Sequence, residues 1–174
     1  MENLYKIRTK QRTLTNLKLN NIQRRILSAE HEYIDRGEPV RHMDLKYRQG
    51  GVSTFWLLWY LDDTIAKRNT ITGILAHRRE SLGVLFEVIR LAHATMPDWC
   101  RPRLEKDSAS ELSFPDLGSK IFVSLKIQST PVHNLHVSEW AHCKPGDLEK
   151  TIAAVPPQSN ITWETTATDR DWET

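Results

Sequence analysis

The sequence predicts an α/β domain built on a mostly parallel sheet with helices packed against it. Short apolar or β-branched segments alternate with longer helical segments along the chain, which is typical of parallel sheets. A glycine pair, Gly50-Gly51, separates one of these strands from a strongly apolar helix. At 174 residues, the chain has the length of a single domain.

The composition excludes several classes of protein. The chain is 39% hydrophobic and 26% charged, and it has no apolar run near the ~20 residues that a membrane-spanning helix needs. We therefore expect no membrane association. The first ten residues lack the apolar segment of a secretory signal. Cys100 and Cys143 lie far apart and suggest no disulfide framework, which favours a reducing cytosol.

Basic residues crowd the beginning of the chain. The net charge is only +2, but the first 25 residues carry seven lysines and arginines against a single acid, Glu2. Because residues 1–18 show no clear periodicity, we predict a basic N-terminal arm over 1–18 and one domain over 19–174. Such an arm can contact nucleic acid or an acidic partner, or it can be a solvated terminus.

Each further element is predicted from a local pattern. Helices are indicated by apolar residues at three-to-four spacing and end near glycine or proline, whereas strands are short, β-branched or alternating. The predicted helices run over residues 20–36, 53–67, 79–95 and 147–155. The predicted strands are 42–47, 70–75, 134–138 and 161–166, together with a hairpin that pairs 112–114 with 120–125.

The loop after the first of these strands partly matches the phosphate-binding pattern G-x-x-x-x-G-K-S/T. Gly51 and Ser53 occupy the second glycine and the hydroxyl position, but Lys46 replaces the first glycine and Val52 replaces the lysine. The glycines supply a turn whose N–H groups can face phosphate, Ser53 supplies a hydroxyl for Mg²⁺, and Lys46 can reach across the loop. The alternative is a strand–turn–helix junction that binds nothing.

Polar residues follow two other predicted strands. Parallel strands bind ligands at their carboxyl ends, so Ser138-Glu139 and Glu164-Thr165-Thr166 are expected at the same edge of the sheet as the glycine turn. A glutamate in the position of Glu139 can orient an attacking water. Ser138 is neutral and can bond only a metal-bound water. Alternatively, Glu139 is a solvated residue at a strand end.

Two further groups of polar residues have competing interpretations. The amide of Gln23 can bond both the donor and the acceptor edge of adenine, or it can cap the helix that begins beside it. His133, His136, His142 and Cys143 do not form a zinc site in this interpretation, because adjacent strand residues face opposite sides and no C-x₂-C pair is present.

The combination resembles the ATPase domain of bacteriophage terminase large subunits, the DNA-packaging motors. The resemblance covers residues 19–168. It rests on an R-Q-x-G-x-S-T loop with the lysine moved to its start and on three shorter motifs in the same order. The motifs are Gln23 in an N-x-x-Q helix start, Lys46-Tyr47-Arg48-Gln49-Gly50-Gly51-Val52-Ser53-Thr54, Val137-Ser138-Glu139-Trp140-Ala141-His142 and Glu164-Thr165-Thr166-Ala167.

The resemblance implies a P-loop NTPase core of the ASCE type, ATP and Mg²⁺ as cofactors, and ATP hydrolysis that powers DNA translocation into the procapsid. By position, Gln23 would contact adenine. The phosphates would be held by Lys46 together with Arg48, Gln49, Gly50, Gly51, Val52, Ser53 and Thr54. Ser53, and Ser138 through a water, would bind Mg²⁺. Arg48 would stabilise the γ-phosphate, Glu139 would activate water, and Glu164-Thr165-Thr166 would couple hydrolysis to movement.

The same resemblance implies the partners: double-stranded DNA, the portal protein, the small terminase subunit and further copies of the chain in a ring. It places the protein in the host bacterial cytoplasm and transiently at the procapsid portal. Family members continue into a nuclease, so we expect a C-terminally truncated form without a nuclease domain. We also expect no DNA cleavage, since the clustered acids Asp169, Asp171 and Glu173 lie at the chain end.

Two other functions remain open from the sequence. A different P-loop translocase or helicase would be expected to carry lysine at position 52 and an aspartate–glutamate pair at positions 138–139, and this chain carries neither. A non-catalytic module that binds DNA or a partner through its basic arm would not bind nucleotide. Stabilisation by Mg-ATP therefore separates the module from the ATPases.

Overall fold

The computed structural model describes residues 1–9, 11–128 and 130–167, with only the backbone of residues 106 and 107. The α-helices in this part of the chain are α1 (Asn21–Arg36), α2 (Val52–Ala66), α3 (Arg79–Ala94) and α4 (Pro145–Ala153). The strands are β1 (Lys6–Arg8), β2 (Leu14–Asn16), β3 (Arg41–Lys46), β4 (Ile71–Ala76), β5 (Lys106–Asp107), β6 (Glu111–Phe114), β7 (Ser119–Ser124), β8 (Asn134–Ser138) and β9 (Asn160–Thr166).

The larger sheet has seven strands in the order β3-β9-β8-β4-β7-β6-β5. The first five strands in this order, β3, β9, β8, β4 and β7, are parallel to one another. Strands β6 and β5 pair antiparallel at the β7 edge. Strand β9 lies between β3 and β8, although it is the last of the three in sequence. The carboxyl ends of β3, β9, β8 and β4 therefore meet at one edge, which brings distant segments of the chain together.

Helix α2 is buried because its sequence is apolar on nearly every side. Phe55, Trp56, Leu58 and Leu61 have no exposed surface, and they join one hydrophobic cluster with residues of α3 and the central strands. A second cluster contains Leu75, Leu135 and Val137 with Leu148 of α4 packed against it. The sheet thus has a hydrophobic cluster on each face, which holds its strand ends rigidly.

The predicted α/β class, the helices and the strands from residue 20 onward are confirmed, with bounds that differ by one or two residues. The predicted hairpin is the antiparallel pair β6–β7. Short β5 was not predicted. None of the helices in the described part of the chain is both long and apolar enough to cross a membrane.

Residues 1–18, predicted as a basic arm from their lack of clear periodicity, contain two short strands. Strands β1 and β2 form a two-stranded antiparallel sheet, with Lys6 opposite Asn16. The side chains of Tyr5 and Leu17, at the ends of this hairpin, are each only 1% exposed and belong to the main hydrophobic cluster. Strands of three residues are too short to produce a recognisable alternation, which explains why the sequence pattern missed them.

Candidate active site

The loop between β3 and α2 is a tight turn in which two residues have positive φ. Gln49 has φ 65° and Gly51 has φ 77°. A β-carbon on Gly51 would lie 2.9 Å from Gln23 Nε2, so both the backbone conformation and the space favour glycine there. Helix α2 starts directly after Gly51, and the loop therefore presents the N-terminus of a helix to the strand edge.

The N-terminus of α1 anchors this loop. Asn20 Nδ2 donates to the carbonyl oxygen of Gly50 at 3.0 Å, and Gln23 Nε2 donates to that of Gly51 at 2.7 Å. Gln23 Oε1 also accepts from Asn20 N at 3.0 Å, which completes a capping box. The polar start of α1 thus caps its own helix and supports the loop at the same time.

The side-chain amide of Gln23 already forms hydrogen bonds within the protein. The residue is only 4% exposed, and both its oxygen and its nitrogen already have partners. It does not line the cleft described below. The capping interpretation is confirmed, and the contact between Gln23 and adenine stays a prediction.

Lys46, Glu139 and Thr166 converge at the carboxyl ends of three neighbouring strands. Lys46 Nζ lies 2.7 Å from Glu139 Oε1 and 3.3 Å from Thr166 Oγ1. The hydroxyl of Thr166 donates to Glu139 Oε1 at 2.8 Å, and the amide of Thr166 donates to Glu139 Oε2 at 2.9 Å. Both carboxylate oxygens of Glu139 are therefore hydrogen-bonded.

These contacts keep Glu139 ionised. Burial, the largest single influence, raises its pKa, but the hydrogen bonds from Lys46 and from the amide and hydroxyl of Thr166 together outweigh it. The net result is a pKa below the ordinary value for glutamate. Glu139 also has φ 53°, because the chain turns sharply there from β8 into a short 3₁₀ turn. At neutral pH, the site presents a carboxylate rather than a carboxylic acid.

A second carboxylate lies deeper in the same edge. Glu164 is fully buried and lies opposite Ser138 in the β8–β9 ladder, and Ser138 Oγ donates to Glu164 Oε1 at 3.2 Å. Lys46 Nζ lies 4.0 Å from Glu164 Oε2, and His136 Nε2 lies 3.6 Å from Glu164 Oε1. Ser138 is thus bonded to a neighbouring side chain and is itself buried.

A cleft of about 580 Å³ opens over these strand ends. Its cationic side chains outnumber its single carboxylate, so its charge suits a polyanionic ligand such as a triphosphate. The lining residues are Lys46, Arg48, Gln49, His77, Arg78, Glu139, His142 and Thr166. The structure therefore brings together the loop start, Glu139 and the end of β9, as the sequence predicted.

Several predicted site residues lie outside the cleft lining. Val52 is buried, and Ser53 and Thr54 are partly exposed in the first turn of α2. Thr54 borders a different cavity, between α2, α3 and the N-terminal hairpin. Thr165 points into the protein and is 5% exposed. Asp169, Asp171 and Glu173 lie outside the described residues.

His77 and His142 line the cleft, but the sequence analysis did not select them for this site. Their ring centroids are 5.8 Å apart, and burial, followed by the charge of Arg78, lowers the pKa of His77. His77 directly follows β4, so the rule that polar residues at the carboxyl ends of parallel strands meet would have selected it.

No group of three or more potential metal ligands is preformed among the described residues. A Mg²⁺ site needs no such preformed group, because Mg²⁺ usually keeps several waters and is bound through one or two carboxylates together with substrate phosphates. The residues with suitable oxygens are Ser53 in the first turn of α2 and, at the strand edge, Glu139 and the buried Glu164.

Comparison with known proteins gives a consistent result at the level of the fold. No family model matches the sequence, and a search of curated proteins finds no match. The structure superposes on the large terminase of bacteriophage HK97 with a TM-score of 0.69 and 13% identity, covering 87% of this chain and 34% of that one. This chain therefore shares its fold with part of a large terminase.

Two structures of the large terminase from a thermophilic bacteriophage give the same result. One matches with a TM-score of 0.54 and 13% identity over 75% of this chain and 33% of that one. The other, in complex with ATP-γ-S, matches with a TM-score of 0.58 and 13% identity over 85% of this chain and 38% of that one. The chain thus spans about a third of the length of the terminases it matches. The shared fold agrees with the predicted α/β core on a mostly parallel sheet.

Proposed function

We propose that this chain is the ATP-binding and ATP-hydrolysing motor domain of a phage large terminase, which moves double-stranded DNA into a procapsid. The observation that carries the proposal is the convergence of Lys46 and Glu139, 2.7 Å apart, beside the loop of a P-loop fold. A neighbour with this fold was solved with ATP-γ-S. The cationic cleft over the same strand ends supports a nucleoside triphosphate as the ligand.

In this proposal, the phosphates are held by Lys46 and by the N–H groups of the loop from Tyr47 to Thr54. The loop lies at the N-terminus of α2, where unpaired amides and the helix dipole favour anions. Lys46 exchanges Glu139 for a phosphate oxygen when nucleotide enters. Arg48, which lines the cleft, stabilises charge on the γ-phosphate through a bidentate contact.

Glu139 acts as the group that orients the attacking water and accepts its proton. It is suited to this because its lowered pKa keeps it unprotonated at neutral pH. The Ser53 hydroxyl and the strand-edge carboxylates would hold Mg²⁺, which neutralises charge on the phosphates when it is bound. Release of Lys46 to the phosphate frees one acceptor position on Glu139 Oε1 for water, while Thr166 continues to hold both carboxylate oxygens.

The link from hydrolysis to movement runs through β9. Thr166 holds both oxygens of Glu139, and Glu164 lies two residues earlier on the same strand. A change at Glu139 during hydrolysis therefore acts directly on this strand. We assign Glu164-Thr165-Thr166 as the coupling segment on this ground.

The proposed partners are double-stranded DNA, the portal protein, the small terminase subunit and further copies of the chain in a ring. The proposed location is the host bacterial cytoplasm and, during packaging, the procapsid portal. The support for these proposals is the shared fold together with the terminase-like motifs, in a chain that is much shorter than the terminases it matches.

The proposal is tested by nucleotide binding in matched variants. Lys46→Ala removes a charge-assisted contact worth ~1.5–3 kcal/mol, so we expect ATP affinity to fall about ten- to a hundredfold by calorimetry. Glu139→Gln should retain ATP binding and abolish phosphate release. Lys67→Ala, at the far end of α2, changes charge equally and should behave as the wild type.

Each result separates the candidate functions. Equal ATP affinity in the wild type and Lys46→Ala would remove Lys46 from the site. A wild type whose melting temperature does not rise with Mg-ATP would favour the non-catalytic binding module. Hydrolysis stimulated by DNA in the absence of portal protein would be equally expected of another P-loop translocase, so stimulation by portal-bearing procapsids is the distinguishing measurement.

A further inference from the structure

Strand β8 ends in the hydroxyl of Ser138, at the position where other P-loop translocases are expected to carry an aspartate before the glutamate. Ser138 is neutral and only 4% exposed. A serine hydroxyl cannot supply the negative charge that favours a divalent cation with its shell of water. The site therefore needs a carboxylate from another position if it is to hold a cation as firmly as an aspartate would.

Glu164 places a carboxylate next to Ser138 on the neighbouring strand. The two residues face each other in the parallel ladder of β8 and β9, so their side chains project from the same face of the sheet. Ser138 Oγ donates to Glu164 Oε1 at 3.2 Å. This hydrogen bond fixes the carboxylate beside the position that an aspartate at 138 would occupy.

The second oxygen of Glu164 has no hydrogen-bond partner. Glu164 has no exposed surface, and Oε2 is buried without a donor. Its nearest cation, Lys46 Nζ, is 4.0 Å away and is closer to Glu139, at 2.7 Å. A buried carboxylate oxygen without a donor is costly, and a cation bound at this strand edge would satisfy it.

We infer that Glu164, rather than a residue of β8, supplies the carboxylate charge that binds a divalent cation together with the nucleotide. Ser138 acts as a positioning residue, since its hydroxyl orients the Glu164 carboxylate. The assignment rests on the proposed nucleotide site and adds to it the residue that determines its affinity for metal. A single relocated carboxylate is enough, because Mg²⁺ commonly relies on one or two carboxylates, water and phosphate oxygens.

The test measures metal affinity rather than hydrolysis. Mn²⁺ is titrated into the protein with saturating ATP-γ-S, and free Mn²⁺ is followed by electron paramagnetic resonance. Glu164→Gln should weaken Mn²⁺ binding about ten- to a hundredfold. The double variant Ser138→Asp/Glu164→Gln returns the carboxylate to β8 and should recover most of this loss.

Glu30→Gln is the matched control. Glu30 is also fully buried but contacts His42 near the start of β3, away from the carboxyl end that carries Lys46, so its variant changes a buried carboxylate without changing the Mn²⁺ affinity. Thermal melts accompany each titration. If Glu164→Gln does not fold, the double variant decides alone: wild-type Mn²⁺ affinity supports the relocation, and weak affinity overturns it.

The outcomes distinguish this inference from the proposed function. ATP-γ-S binding is measured separately in the presence of a chelator. If the wild type binds no nucleotide, the proposed function and this inference are both overturned. If it binds nucleotide and Glu164→Gln retains wild-type Mn²⁺ affinity, only the role of Glu164 is overturned. The role of Glu164 is also contradicted if the double variant Ser138→Asp/Glu164→Gln folds but does not recover Mn²⁺ affinity.

Discussion

At the residue scale, the contacts of Lys46, Glu139 and Thr166 define the chemistry of the site. The lysine and the carboxylate neutralise each other, and Thr166 donates to both oxygens of the carboxylate. A phosphate can compete for the lysine without leaving Glu139 unpaired, because Thr166 continues to hold it. The ion pair is therefore exchangeable, whereas the main-chain contact preserves the position of Glu139.

Thr166→Val tests the part played by the hydroxyl. The change removes one donor to Glu139 and leaves the Thr166 amide and Lys46, so the pKa of Glu139 should rise towards its ordinary value. The expected shift is measured by carboxyl-carbon NMR titration. Thr165→Val is the control, since Thr165 Oγ1 is buried without a hydrogen-bond partner. Equal Glu139 titrations in the two variants would contradict the assignment.

The contact between Thr166 and Glu139 also makes the stability of the protein depend on pH. A carboxylate whose pKa is lowered on folding stabilises the protein above its unfolded pKa of 4.5, and this contribution is lost as the pH falls through the folded value. When the pH is lowered from neutral to below 4.5, Thr166→Val should therefore lose less free energy of unfolding than the wild type loses. Urea unfolding at both pH values measures the difference.

Gly51→Ala tests the loop conformation. Gly51 has φ 77°, and a β-carbon would lie 2.9 Å from Gln23 Nε2, so alanine should lower the free energy of unfolding by about 1–2 kcal/mol and weaken ATP binding. Gly83→Ala, in the interior of α3 with no atom within 4 Å, should instead raise it by ~0.5–1 kcal/mol. Two variants of equal stability would contradict this account. Urea unfolding and calorimetry give the two quantities.

At the element scale, a partly buried histidine joins α1, β3 and α2. His42 Nδ1 lies 2.8 Å from Glu30 of α1, and His42 Nε2 lies 3.0 Å from Asp44, which accepts from Trp56 Nε1 of α2 at 2.6 Å. The two carboxylates raise the pKa of His42 to about 9, the bond to Asp44 contributing most, against the effect of burial. The packing of α1 against the phosphate-loop strand thus depends on a charged histidine.

This network predicts a loss of stability in mild alkali. The pKa of His42 is raised from 6.5 to about 9, so its contribution is complete below 6.5 and is lost as the pH rises through about 9. The shift corresponds to about 3 kcal/mol. Urea unfolding across this range should show the loss in the wild type and much less of it in His42→Gln. His31→Gln, an exposed position on α1, should follow the wild type; a wild-type curve as flat as that of His42→Gln would contradict the role of the network.

At the scale of the whole molecule, the N-terminal hairpin is part of the core despite its basic composition. Tyr5 and Leu17 are 1% exposed, and the Tyr5 hydroxyl donates to Asp62 of α2 at 2.8 Å. The hairpin therefore supports the helix that follows the phosphate loop. Its basic side chains project from a packed element, which presents them at fixed positions to any acidic partner.

Leu17→Ala tests this packing against a matched exposed position. Removing a buried leucine should lower the free energy of unfolding by about 2–5 kcal/mol. Leu14→Ala, in the same hairpin but with Leu14 48% exposed, should change it by less than ~0.5 kcal/mol. Chemical denaturation of both variants gives the comparison. Similar small changes in both would mean that the hairpin contributes little to the core.

The sequence by itself determined the α/β class, the α-helices and the strands from residue 20 onward except short β5, and the strand ends that meet at the site. These depend on local information: the spacing of apolar residues, glycine and proline at element ends, and the alternation of strands with helices. Lys46, Glu139 and Thr166 were therefore predicted to be neighbours without coordinates, because parallel strands present their carboxyl ends at one edge.

Only the tertiary structure decided which side chains bond to one another. The strand order places β9 between β3 and β8, and this order brings Glu164 against Ser138 and Thr166 against Glu139. Gln23 supports Gly51 because α1 packs beside the loop. Strand order and helix placement depend on the packing of distant apolar surfaces, which no local pattern records. The sequence thus placed Lys46, Glu139 and Thr166 at one edge of the sheet, whereas the pairing of their side chains followed from the fold.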